Sequence, residues 1–193
     1  MAMPRLYFIF LCVTTATINV GAKSFYESVP KDSVCKILDP QIVYNYTCIN
    51  KHINQTLSVL TQDITFQPGV VLDNYHVRIQ LNRKFGKTFR PFMINAEQDF
   101  CALSKDNSIQ SLVTKMLDLK ERKQYGNWYH PCPVSGRRYE IDAPMDSNKI
   151  PAVAVNGGYR LDVIGFTFID GVKKEFRLTH HFGEYRLKSN RGS

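Results

Sequence analysis

The chain has 193 residues, 44% of them hydrophobic and 12% aromatic, and a formal net charge of +8. That length suits one ordinary domain with a real core. No stretch supplies the ~20 apolar residues of a membrane-spanning helix, and the polar C-terminal end, Arg186 to Ser193, carries no hydrophobic tail for a lipid anchor.

The first 22 residues read as a cleavable secretory signal. Arg5 gives a short positive start, Leu6 to Val13 is the apolar core, and Val20-Gly21-Ala22 supplies the small residues before the cut. A membrane anchor would need a much longer run. Residues 23–193 are then expected to form a single exported domain, with no internal repeat and no linker. Cys12 leaves with the signal, and Cys35, Cys48, Cys101 and Cys132 remain. Four cysteines in an exported domain imply two disulfides with three possible connectivities. The nearest-neighbour choice is Cys35–Cys48 with Cys101–Cys132. The wide spacings lack the short paired knuckle of a zinc site. In this compartment Asn45-Tyr46-Thr47 and Asn54-Gln55-Thr56 become glycosylation sequons at Asn45 and Asn54.

The middle of the chain reads as strands. Ile53 to Phe66 is rich in Thr, Val, Leu and Ile. Tyr75, Val77, Ile79 and Leu81 alternate with polar residues, as in a half-buried strand. Phe89 to Asn95 holds Pro91 near its start, which suits an edge strand. Asp106 caps a predicted helix to about Lys123, in which Ile109, Leu112, Val113, Met116, Leu117 and Lys120 follow helical spacing. Late in the chain, Tyr159 to Ile169 and Val172 to Leu187 form a hairpin around Asp170-Gly171, whose turn takes positive φ. Phe176, Leu178 and Phe182 are expected on one face of its second arm, and a bulge at Gly165 would explain the two apolar faces of its first arm. The expected fold is mainly β: an immunoglobulin-like two-sheet sandwich with one amphipathic helix.

Motifs for catalysis are absent or incomplete. Phe85-Gly86-Lys87-Thr88 resembles the end of a phosphate-binding loop, but Leu81 stands where the earlier glycine belongs and no helix pattern follows. None of the five histidines, His52, His76, His130, His180 and His181, has the spacing of a helical zinc site. Glu97 and Asp99 lie two apart on a strand, an arrangement that acid/base pairs use but that strand ends also carry as solvated charge. There is no Gly-x-Ser-x-Gly elbow. No enzymatic activity, cofactor or metal is expected. The basic residues fall in scattered clusters, Arg83/Lys84/Lys87/Arg90, Lys120/Arg122/Lys123, Arg137/Arg138 and Lys173/Lys174. In an exported protein they read as solvated faces, with anionic headgroups or acidic glycans as the alternative partner. No nucleic-acid motif is present.

Several motifs then fall in a characteristic order: Asn82-Arg83-Lys84-Phe85, Arg90-Pro91-Phe92, Asp99-Phe100-Cys101, the helix, Gly126-Asn127-Trp128-Tyr129-His130-Pro131-Cys132-Pro133, and Gly158-Tyr159-Arg160. This series resembles an insect family of secreted proteins of mostly undefined function that includes the B-type chemosensory proteins. The second half is also similar to the ganglioside activator of the lipid-recognition superfamily, through Cys132-Pro133, Gly136 with Tyr139, Ile150-Pro151 and Gly158-Tyr159-Arg160. It departs from the activator in having fewer cysteines, and Trp128 replaces a smaller apolar residue of the insect family. The resemblance implies a β-cup that holds an apolar molecule between two sheets, with no catalytic residue.

The aromatic content admits a tightly filled core or an apolar cavity. With the resemblance, the expected function is extracellular binding of a lipid, hydrocarbon or pheromone, in chemosensation, with a membrane receptor as a further partner. Phe100, Leu112, Met116, Trp128, Phe166 and Phe168 are the expected wall residues, and the helix carrying Leu112 and Met116 would act as a flap. The alternative is a secreted interaction module with a filled core, a receptor co-factor or a reproductive secretion.

Overall fold

The computed structural model describes residues 26–105, 119–146 and 155–187. The secretory signal and both helix residues named as cavity wall, Leu112 and Met116, fall outside them.

The architecture is mainly antiparallel β. Ten strands are described: β1 (Tyr26–Ile37), β2 (Val43–His52), β3 (Leu57–Phe66), β4 (Val71–Leu72), β5 (His76–Phe85), β6 (Thr88–Asp99), β7 (Val134–Ser135), β8 (Arg137–Asp146), β9 (Gly157–Ile169) and β10 (Val172–Leu187). Two short helices, α1 (Phe100–Lys105) and α2 (Leu119–Arg122), lie between β6 and β7, and a 3₁₀ turn (Lys123–Tyr125) follows α2. The described end of the expected helix is therefore helical. A five-stranded sheet in the order β1-β10-β9-β5-β6 faces a three-stranded sheet, β2-β3-β8, and β4 pairs with β7. This is a β sandwich.

The register follows the alternation in the sequence. In β5, Val77, Ile79 and Leu81 are buried between the sheets while His76, Arg78 and Gln80 point outward. In β3 every second residue from Ser58 to Phe66 is buried. β6 holds Pro91 and is an edge strand, with a register break opposite Gln80 and Asn82. The hairpin β9–β10 closes on Asp170 (φ 52°) and Gly171 (φ 75°).

One local reading is corrected. The bulge of this hairpin lies in β10, where Glu175 pairs with Phe166 and Arg177 with Gly165, leaving Phe176 as the extra residue. A bulge sends two consecutive side chains to one face, so Phe176 and Arg177 both enter the interior. Phe176 is therefore separated from Leu178 and Phe182, with which simple alternation had grouped it. Gly165 makes this possible, because a Cβ there would stand 2.8 Å from Cγ of Arg177.

Cys35 and Cys48 pair, with Cα atoms 5.7 Å apart, and join β1 of one sheet to β2 of the other. Cys101 and Cys132 pair at 5.3 Å and tie α1 to the segment entering β7. Among the described residues no helix is long and apolar enough to cross a membrane.

Candidate functional site

Between the sheets lies a cavity of about 110 Å³. Its apolar wall includes Leu60 from β3, Val77 and Leu81 from β5, Leu161 from β9, and the rings of Phe100 and Trp128. Phe100 is placed by the start of α1, where Asp99 caps the helix by accepting the Ala102 N–H at 3.0 Å and the Phe100 N–H meets the Tyr75 carbonyl at 2.9 Å. Trp128 is placed by the loop before it. Gly126 (φ 155°) passes so close to β8 that a Cβ would lie 2.2 Å from the Tyr139 carbonyl oxygen. Asn127 then accepts the Tyr139 N–H at 2.7 Å and donates to the Arg137 carbonyl at 3.0 Å. The motif Gly126-Asn127-Trp128-Tyr129 is thus a clamp onto β8 that turns two aromatic rings inward.

Phe166 and Phe168 do not reach this cavity. They lie on the outer face of the five-stranded sheet, because they share the parity of Asp162 and Ile164 and not that of the inward Leu161 and Val163. Phe166 stacks on His76 at 5.2 Å and is covered by the Lys173 ammonium, 3.8 Å from its ring centre. Phe168 is 42% exposed. Of the six expected wall residues, the described structure brings only Phe100 and Trp128 together at the cavity.

The residues that the pattern did not single out form the polar side of the same space. Arg177 (3% exposed) donates from Nε to the Tyr75 hydroxyl at 2.8 Å and from Nη1 to the Tyr46 hydroxyl at 3.2 Å, and its guanidinium lies 5.0 Å from the Trp128 ring. Tyr46 donates to Gln62 Oε1 at 3.0 Å, and Gln62 in turn donates to Glu140. Glu140, fully buried, receives Arg122 through Nε at 3.0 Å and Nη2 at 2.6 Å. A continuous network therefore crosses from β10 through β2, β3 and β8 to α2. Arg122, only 7% exposed, is not the solvated charge that its basic neighbours suggested.

Buried polar groups shift as their surroundings dictate. Burial pushes the Tyr75 and Tyr129 hydroxyls above their ordinary value, so both are neutral at pH 7. His181 also lines the cavity and shares a 2.9 Å hydrogen bond with Ser33 Oγ. Burial, with the charges of Arg122 and Arg177, lowers its pKa to about 3. The two strand carboxylates considered for acid/base work are otherwise engaged. Glu97 pairs with Lys173 and lies 3.7 Å from Arg78, while Asp99 caps α1. Asn45 and Asn54 are both exposed.

A family model described as "protein of unknown function (DUF1091)" matches residues 77–161. That stretch covers fewer than half of the 193 residues and runs from β5 to the middle of β9. It includes α1, the Asn127 clamp, Trp128, Arg122 and Glu140. The region is similar to an uncharacterised family, and no curated protein matches the chain.

Proposed function

We propose that the protein is an extracellular binding protein for a small apolar ligand, exported by the leader at residues 1–22 and carried on one domain over residues 23–193. The observation that supports this most is the cavity of about 110 Å³ between the sheets, walled by Phe100, Trp128 and aliphatic side chains. Drug-sized ligands occupy roughly 300–1,000 Å³, whereas a dry cavity of ~150 Å³ takes up benzene. The ligand is accordingly small, or only one short apolar arm of it enters. Burial drives uptake, at roughly 25 cal/mol per Å² of apolar surface removed from water.

Two disulfides suit an oxidising compartment, and the exposed Asn45 and Asn54 are open to glycan attachment. The resemblance to insect chemosensory proteins suggests a hydrocarbon, pheromone or lipid as cargo, delivered to a membrane receptor. The reading assigns no catalytic role to any residue.

The test is to purify the secreted protein, extract it and identify co-purifying apolar molecules by mass spectrometry, then titrate octanol by calorimetry. A bound apolar molecule or saturable octanol uptake supports the reading. The absence of both would overturn it in favour of a secreted interaction module with a filled interior.

A further inference from the structure

The interior holds a positive charge that no carboxylate among the described residues balances. Two guanidinium groups, Arg122 and Arg177, and one carboxylate, Glu140, are buried in the network. Glu140 is consumed by Arg122, which grips both of its oxygens, and by Gln62. The partners of Arg177 are all neutral: Tyr75, Tyr46, and Thr179 at a long 3.5 Å from Nη1. Aromatic faces surround it, with Trp128 at 5.0 Å, Tyr75 at 5.7 Å and Tyr46 at 5.8 Å. Arginine keeps its proton in proteins, and buried charges are ordinarily paired.

Donors are in surplus at the same point. Nε and Nη2 of Arg177 both donate to the single oxygen of Tyr75. The second Nη2 hydrogen has no acceptor among the described residues, and neither does the hydroxyl hydrogen of Tyr75. Arg177 lines the cavity, next to Trp128 and His181. Glu121 also lines it and is exposed to solvent. A buried corner with unmatched donors and one surplus positive charge is suited to an anion.

We infer that the cavity takes a short-chain carboxylic acid, its carboxylate held by Arg177 and its chain against Phe100, Trp128 and Leu161. This rests on the apolar-ligand reading and names the chemistry of the ligand's head. A planar carboxylate matches the guanidinium fork, and a single negative charge neutralises the surplus. Gly165 and the β10 bulge are then the backbone devices that aim the anchor inward.

The test compares octanoate, octanol and octylamine, equal in chain length and different in head charge, by calorimetry on the secreted, disulfide-intact protein at pH 7. Octanoate is expected to bind about tenfold or more tighter than octanol, and octylamine to bind weakest. Arg177→Met should remove the preference for octanoate while octanol still binds. If that variant fails to fold by circular dichroism, the three-ligand series on the wild-type protein decides alone. Octanol binding as tightly as octanoate, or a folded Arg177→Met protein that retains the preference, overturns the inference and leaves the apolar cavity standing. Failure of all three ligands overturns the inference, and the extraction of the purified protein then decides the apolar-ligand reading.

Discussion

The two faces of the five-stranded sheet carry similar side chains and use them differently. Each face has aromatic rings and a buried charge. Outside, Asp162 is balanced: it accepts Arg160 at 2.7 Å, Asn82 at 2.8 Å and meets His180 at 2.6 Å. Farther along the same face, the Phe166 ring is covered by Lys173 and stacked on His76. Inside, Arg177 has neutral partners and opens on a cavity. Aromatic content therefore does not distinguish a cavity wall from a packed face, whereas charge balance next to empty volume does.

The largest effect is expected from breaking the balanced part of the inner network. Glu140→Gln would leave Arg122 buried without its counter-ion, a loss of about 3–5 kcal/mol in urea unfolding. Asp162→Asn on the outer face should cost less, about 1–3 kcal/mol, because asparagine keeps part of the hydrogen bonding and the Arg160 side chain, 25% exposed, reaches water. Equal costs would mean that the two networks are energetically alike and would remove the contrast.

Acid should report on the inner face next. His181 takes up a proton near its ordinary pKa of 6.5 in the unfolded chain but only near 3 when folded. Unfolded protein therefore binds more protons between these values. The His181 contribution is full above pH 6.5 and declines as pH falls toward 3, at no more than about 1.4 kcal/mol per pH unit. Denaturant midpoints at stepped pH should follow that slope, and His181→Gln should flatten it. An unchanged slope in the variant would place the acid sensitivity elsewhere.

Much of the fold was legible because period-two patterns and turn residues are local signals. The β5 alternation, the Asp170-Gly171 turn, Pro91 on an edge strand and the nearest-neighbour cysteine pairing all match the structure. The site was less legible for two physical reasons. Parity along β9 decides which aromatics face inward, and a local apolar run at Ile164-Gly165-Phe166 does not state its parity. A single bulged residue then put Arg177 on the same side as Phe176, where simple alternation sets neighbours apart. Glu140 and Arg122 lie 18 residues apart, and the pairing that buries them arises only when α2 packs on β8. The one sequence signal for the inner corner was the glycine at Gly165, whose missing side chain is what admits the guanidinium.

The most direct measurement sets the two faces against each other through one residue each. Octanol is titrated by calorimetry into wild-type protein, Trp128→Ala and Phe168→Ala, all shown folded by circular dichroism. The account expects Trp128→Ala to change the Kd several-fold, since ~1 kcal/mol of apolar contact is at stake, and Phe168→Ala to stay within about twofold. A larger shift from Phe168→Ala than from Trp128→Ala would contradict a binding site on the inner face.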